Sequence, residues 1–197
     1  MRELKDRHKG ETAWIIGKGL SLRFLKKSDF GEGPVIAIYE ALIPIETMRL
    51  PNPLYSLQKD GGRLKKRLHQ MDAECDHQTE CDFCEWVVRP LTATLLLHEL
   101  EARHCFKDYS PRYTFTLDEI GMQENQFSLA CAIKIAQYMG CDKVRFVSCD
   151  VHATGATGNI VPLFDQSYYD WIYGEQKKIL PKYLEGVDCE WVTPEST

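Results

Sequence analysis

No apolar run in the 197-residue sequence approaches the roughly 20 residues that a bilayer-spanning helix needs. The first residues, 1–9, are charged and contain no apolar core of a secretory leader. We therefore expect no membrane span and a cytoplasmic location. In that compartment the eight cysteines are expected to be thiols or metal ligands rather than disulfides.

An excess of positive charge is also missing. The chain has 24 basic and 29 acidic residues and a net charge of −5, which argues against general nucleic-acid binding because such binding depends on neutralising phosphates. The apolar fraction of 44% is that of an ordinary globular protein. The length predicts a single domain spanning 1–197.

Neither common nucleotide-binding motif is complete. Gly17 and Gly19 begin a Gly-x-Gly-x-x-Gly pattern, but the third glycine position holds Leu22, and a P-loop sequence is absent from the chain. What is present is an apolar run, Trp14–Ile16, that ends in this turn. A strand that hands over to a helix through a Gly-rich turn collects backbone N–H groups that suit a phosphate. Gly17, Lys18, Gly19 and Ser21 are thus candidate phosphate ligands, and a plain tight turn is the alternative.

Apolar runs and helical patterns alternate along the chain, which predicts an α/β fold with a mostly parallel sheet. The predicted strands are 13–16, 35–38, 54–57, 91–97, 112–117, 143–148 and 188–192. The predicted helices are 21–27, 125–140 and 167–179, the last ended or kinked by Pro181, while 42–48 fits a helix or a strand. Residues 1–12 are predicted to be a polar lead-in.

Polar residues follow several predicted strands, where open α/β sheets place their ligand contacts. Lys59 and Asp60 follow strand 54–57, His98 ends strand 91–97, and Asp150 and His152 follow strand 143–148. We take His152 as the first candidate for a general base and His98 as the second, with Asp150 binding a hydroxyl or a metal. The alternatives are turn capping for Asp150 and a solvated loop position for His152.

The segment 61–90 differs in composition from its surroundings and has the pattern of an insertion. It contains four soft ligands within ten residues, namely Cys75, His77, Cys81 and Cys84. Four such ligands suit a tetrahedral structural zinc ion that stabilises a segment too small for its own core. Free thiols on a loop are the alternative.

Four stretches in this order resemble a known group of proteins: Ile15–Leu22, Val35–Ile38, Ser128–Gly140 and Val144–Asp150. The chain is similar to the bacterial CMP-sialic-acid-dependent sialyltransferases, to the 6-hydroxymethylpterin pyrophosphokinase-like and motility-accessory proteins, and to small phage proteins of unknown role. The resemblance implies a Rossmann-like three-layer sandwich. It also implies a nucleotide held by the Gly17–Ser21 turn and by the start of the helix at Ser128. Lys18 and Tyr39-Glu40 stand where those proteins commonly have Asn.

These features are compatible with two functions. The first is a transferase-like protein of the glycosyl- or pyrophosphoryl-transfer class that binds a nucleotide or nucleotide sugar, with that small molecule as its partner. The second is a non-catalytic module that binds a nucleotide or a protein.

Overall fold

The computed structural model describes residues 1–59, 91–103, 106, 109–123, 127–149 and 166–192. Within these residues seven strands form one sheet in the order β5-β4-β3-β2-β1-β6-β7, and every neighbouring pair is parallel. The strands are β1 (Thr12–Ile16), β2 (Val35–Ile38), β3 (Leu54–Gln58), β4 (Thr94–His98), β5 (Arg112–Phe115), β6 (Lys143–Val147) and β7 (Asp188–Val192). The predicted α/β class with a parallel sheet is confirmed.

Four α-helices accompany these strands in the described residues: α1 (Leu42–Met48), α2 (Glu99–Ala102), α3 (Ser128–Tyr138) and α4 (Gln166–Leu184). Short 3₁₀ helices cover Arg2–Leu4, Leu20–Phe24, Lys27–Asp29, Tyr39–Ala41 and Asp118–Ile120. In this part of the chain no helix combines the length and the apolar character that a bilayer crossing requires.

The central strand β1 is buried on both faces. Ala13 and Ile15 pack into a core with α3 and the end of α4, whereas Trp14 and Ile16 pack into a second core with Leu42 of α1. Alternate side chains of a strand point to opposite faces, so both faces of the sheet are covered. Double burial explains why the parallel strands are continuous apolar runs in the sequence.

The small residues of α3 let the helix approach the sheet closely, as their spacing predicted. Ala132 and Ala136 are fully buried. At its C-terminal end Gly140 has φ +84°, and a Cβ there would lie 3.1 Å from the Cα atoms of Asp6 and Lys9. Glycine is required because the N-terminal strap, residues 1–11, crosses the turn at this point.

The N-terminal strap corrects the expectation of a simple polar lead-in. Leu4 is fully buried, and the strap's N–H groups of Asp6 and His8 donate to the carbonyls of Tyr138 and Met139 at 3.1 and 2.8 Å. The strap thus belongs to the packed structure at the C-terminal end of α3.

One helix prediction was wrong, and for another the structure excludes one of its two alternatives. Residues 21–27 form no α-helix: Leu22 and Leu25 are both buried, and their three-residue spacing matches the 3₁₀ period of Leu20–Phe24. Pro181 does not end α4, which continues to Leu184. Packing of Tyr183 and Leu184 against the α3 core holds this last turn.

Candidate functional site

The strand order places a switch point at the carboxyl ends of β1 and β6. From β1 the chain moves to β2 on one side and continues outward to β5, then returns through α3 to β6 on the other side of β1. In open α/β sheets the connections diverge at such a point and leave a crevice, which is where ligands bind. Ile16 and Val147 are paired across these two strands.

The Gly17–Gly19 turn lies at this point, but its glycines serve the protein itself. The Gly17 N–H donates to the Val147 carbonyl at 2.9 Å, and the Gly19 N–H donates to the Ser148 carbonyl at 2.7 Å. A Cβ on Gly17 would lie 2.6 Å from the Ser148 carbonyl oxygen. Glycine at position 17 is therefore explained by close packing on β6. A phosphate bound at this turn would therefore need hydrogen-bond donors other than the Gly17 and Gly19 amides.

Beside the turn, Tyr39 bridges the end of β2 and the start of α3. Its hydroxyl lies 2.6 Å from the Ser128 Oγ, and the Lys18 Nζ lies 5.2 Å from the centre of its ring. The first turn of α3 contains no acidic residue, and its N-cap Phe127 makes no side-chain capping bond. The positive end of the α3 dipole lies near the Tyr39 hydroxyl, and the Lys18 ammonium lies near its ring.

Tyr39 also has a strained backbone. Its φ is +51° and its side chain is buried. For a bulky residue this left-handed conformation costs roughly 1–2 kcal/mol. Such strain is found where surrounding contacts hold it, often at functional sites. No sequence motif marks Tyr39 as a site residue; the available signal is an aromatic residue directly after the apolar run 35–38.

The ends of β3 and β4 bring three polar side chains into the interior: Gln58, Lys59 and His98 are each less than a tenth exposed. The Gln58 Nε2 donates to the Ser56 Oγ at 2.9 Å, while its Oε1 has no donor among the residues that the structure describes. Lys59 was predicted to line the crevice; Gln58 was not, although it ends the apolar run that contains β3.

His98 is positioned as a helix cap. Its Nδ1 accepts from the Leu100 N–H at 3.4 Å, and its ring lies edge-on to Phe115. In the neutral ring this hydrogen bond leaves the proton on Nε2, so that nitrogen is a donor. The geometry favours hydrogen-bond donation by His98 over proton abstraction.

The end of β6 contains a second strained residue. Ser148 has φ +52°, is fully buried, and its Oγ has no partner within the described ranges. Cys149 follows and is half-buried, with its Sγ 3.5 Å from the Val147 carbonyl oxygen. Sequence analysis predicted a strand through Ser148, but a left-handed residue ends it instead.

Several predicted site residues lie outside the described residues, so the structure does not place them. They are Asp60, Asp150, His152 and the cluster Cys75, His77, Cys81 and Cys84. In the described ranges no group of three or more His, Cys, Asp or Glu side chains is arranged to hold a metal ion.

The buried polar side chains in the described ranges are concentrated at one edge of the sheet. Seven are buried: His8, Ser21, Ser56, Gln58, Lys59, His98 and Ser148. Five of these seven follow or end β1, β3, β4 or β6 at their carboxyl ends, the exceptions being His8 and Ser56. Because burying polar groups costs free energy, their concentration marks this edge as the candidate site. No protein-family model and no curated protein matches the sequence.

Proposed function

We propose that this protein has a Rossmann-like fold and binds a nucleotide or nucleotide sugar across the carboxyl ends of β1, β2 and β3. The observation that carries the proposal is the concentration of buried polar side chains at the edge where the strand order reverses. Burying the polar side chains of Gln58 and Lys59 costs free energy unless hydrogen bonds or opposite charges in the site offset that cost.

The phosphate would lie near Lys18 and the start of α3. The Lys18 ammonium supplies charge, and the uncapped N-terminus of an 11-residue helix supplies N–H groups and a positive dipole. Gly17 and Gly19 then have an indirect role: they pack the turn against the end of β6 and so fix the backbone position of Lys18. Ser21 and Ser128 are the nearby hydroxyls.

The transfer step would use groups that the sequence supplies next to this edge. Asp150 directly follows Cys149 in the chain, and His152 is two residues further. We assign His152 as the general base that takes the proton of an acceptor, and Asp150 as the group that binds a ligand hydroxyl. His98 would donate a hydrogen bond through Nε2 rather than accept a proton.

Calorimetric titration with mononucleotides and with pyrophosphate tests the binding proposal. Lys18→Ala should weaken binding of any nucleotide by roughly tenfold or more, because a charge-assisted contact is lost. Lys178→Ala, on the exposed face of α4, is the matched control and should bind as the wild type does. Absence of all nucleotide and pyrophosphate binding, or equal affinities of both variants, would refute the proposal.

A non-catalytic binding module is the second candidate, and Tyr39 is the observation that favours it. Its phenol is already hydrogen-bonded to the Ser128 hydroxyl at the start of α3, which is where the resemblance places the nucleotide. Turnover assays on any nucleotide sugar that binds separate the two functions. Turnover lost in His152→Ala supports the transferase, and binding with no turnover supports the module.

The zinc site remains a separate proposal for the segment 61–90. Metal analysis of the purified protein should find about one zinc ion per chain, since four soft ligands complete a tetrahedral site. Replacing Cys81 and Cys84 together with Ser should remove the metal. A wild-type protein without zinc would disprove the proposal.

A further inference from the structure

Two buried side chains that can both donate to an anion, Lys59 and His98, lie at the carboxyl ends of neighbouring strands. Each of the two is 7% exposed. The β3–β4 register pairs Gln58 with Leu97, so its continuation by one residue places Lys59 opposite His98. Burying an ammonium group and an imidazole costs free energy that an anion can offset, because both side chains can bind one. Lys59 and His98 are called the donor pair below.

The tautomer of His98 makes its Nε2 a donor. Nδ1 accepts from the Leu100 N–H at 3.4 Å, so the proton of the neutral ring is on Nε2. No hydrogen bond joins this Nε2 to another residue in the ranges that the structure describes. An acceptor on a ligand can therefore complete the hydrogen bonding of the ring.

The donor pair lies on the same face of the sheet as the start of α3. The His98 ring is edge-on to Phe115, which belongs to the core that α3 forms with the sheet. Tyr39, whose hydroxyl lies 2.6 Å from the Ser128 Oγ, belongs to that same core. The phosphate proposed at the start of α3 and an anion bound by the donor pair would thus share one face.

The strand spacing limits how far apart these two anions lie. Tyr39 directly follows β2, and β3 and β4 are the next two strands, about 4.8 and 9.6 Å from β2. Phosphates that share a bridging oxygen lie closer together than this. A phosphate and a second acidic group with a sugar ring between them match the separation.

We infer that Lys59 and His98 bind a second anionic group of the ligand, a carboxylate or a phosphate, which a sugar ring separates from the phosphate at the start of α3. The inference rests on the proposed function and narrows its ligand class to nucleotides or nucleotide sugars with two separated acidic groups. The Lys59 ammonium supplies charge, and the His98 Nε2–H supplies a directed hydrogen bond. A ligand with a neutral group in that position lacks the charge-assisted contacts and binds more weakly.

Two matched pairs of ligands test this and distinguish the chemistry of the second group. UDP-glucuronate and UDP-glucose differ in a carboxylate on the sugar, and adenosine 3′,5′-bisphosphate and AMP differ in a 3′-phosphate. Calorimetry on the wild-type protein should show the more acidic member of one pair binding about tenfold tighter or more. A preference for the uronate identifies a carboxylate, and a preference for the bisphosphate identifies a phosphate.

Two variants assign the preference to the donor pair. Lys59→Met keeps a long side chain and removes its charge, so it should lose the preference and bind pyrophosphate as the wild type does. His98→Asn retains an oxygen that can cap the Leu100 N–H, since Asn is a favoured N-cap residue, but it lacks Nε2. It should reduce the preference several-fold, which a role of His98 in helix capping alone does not produce.

Inorganic phosphate gives a readout that does not depend on the nucleotide. In long-range ¹H–¹⁵N NMR spectra, phosphate should shift the His98 Nε2 resonance, and it should do so in Lys18→Ala as well. His8 is the internal control, because both of its ring nitrogens are hydrogen-bonded, to Glu11 and Tyr55. Its resonances should not move, and His98→Asn assigns the signal that does.

The failures of the two proposals are distinguishable. If the wild type binds pyrophosphate but neither acidic ligand is preferred, or if Lys59→Met keeps the preference, the inference is wrong and the proposed function stands. If neither nucleotides nor pyrophosphate bind, both are wrong. Should Lys59→Met fail to fold, the NMR titration of the wild type decides, and an unmoved His98 Nε2 resonance refutes the inference.

Discussion

Buried polar groups differ between the amino edge of the sheet, where the parallel strands begin, and the carboxyl edge, where they end. At the amino edge, His8 of the N-terminal strap has both ring nitrogens bonded, to the Glu11 carboxylate at 3.0 Å and to the Tyr55 hydroxyl at 2.8 Å. The Glu46 carboxylate there accepts from the N–H groups of Thr92 and Ala93 at 2.8 Å each. Polar atoms at this edge connect the chain's own segments to each other.

At the carboxyl edge the same kinds of groups are unpaired or strained. Gln58 and Ser148 each have a buried oxygen without a partner in the described part of the chain. Tyr39 and Ser148 have positive φ angles, and each directly follows one of the two strands that flank β1. Folded proteins keep such features where another requirement outweighs stability. The difference supports placing function at the carboxyl edge and structural closure at the amino edge.

The comparison is tested most strongly by removing one buried polar side chain from each edge. His8→Ala should lower the free energy of unfolding by about 3 kcal/mol, because it leaves the Tyr55 hydroxyl buried without its partner and opens a cavity. Gln58→Met should lower it by only about 1 kcal/mol, because the buried Ser56 hydroxyl loses its partner while an unpaired oxygen is removed and the volume is kept. Urea denaturation of both variants beside the wild type measures this difference.

Equal losses of stability in the two variants would contradict the comparison. A large loss in Gln58→Met alone would mean that the carboxyl edge depends on this amide for folding. The dependence of the free energy of unfolding on urea should be unchanged in both variants, which confirms that the folded and unfolded states remain comparable.

The strain at Ser148 gives a smaller effect of opposite sign. Ser148→Gly should raise the free energy of unfolding by about 1 kcal/mol, since glycine adopts φ +52° freely and the unpaired hydroxyl is removed. Ser148→Ala is the matched control because it removes the hydroxyl and keeps the backbone cost. Thermal unfolding should therefore place the Gly variant above the Ala variant, and the reverse order would show that the left-handed conformation is not strained.

The strands were predictable because burial on both faces produces a simple signal. β2 and β7 occupy the predicted ranges, 35–38 and 188–192, and the other strands differ from prediction only at their ends. β4 begins at Thr94 rather than at position 91, since Glu46 and Tyr109 bind the backbone of residues 91–93. That contact is between distant parts of the chain, and local pattern does not encode it.

The candidate site was predictable in location but not in detail. The rule that ligand residues follow parallel strands selected Lys59 and His98, which do lie buried at the expected edge. It did not select Tyr39, Gln58 or Ser148, because these residues are distinguished by a positive φ angle or by a buried atom without a partner in the described residues. Such properties arise only when strands from distant parts of the sequence are brought together. For the same reason the sequence did not predict that the Gly17 and Gly19 N–H groups donate to carbonyls at the end of β6.

The amino edge also contains a group whose titration affects stability, Tyr109. Its hydroxyl donates to the carbonyls of Leu91 and Ala93, at 2.8 and 2.7 Å. Burial, and next the Glu46 carboxylate, raise the pKa of Tyr109 to about 12 from the usual 10.0. The folded state therefore favours the protonated phenol. This contribution to stability is fully present below pH 10 and is lost as the pH rises toward 12, because the unfolded chain ionises first.

Tyr109→Phe isolates this contribution. The variant should be less stable than the wild type at neutral pH, since two backbone carbonyls lose a donor, by about 1 kcal/mol. Between pH 10 and 12 its stability should fall less steeply than that of the wild type, so the two curves converge. Other tyrosines with raised pKa values, Tyr55, Tyr113 and Tyr138, are common to both proteins and cancel in the difference. Parallel curves from urea denaturation across this range would mean that the phenol titrates alike in the folded and unfolded chain, and that the amino edge is less completely closed to water than its hydrogen bonds indicate.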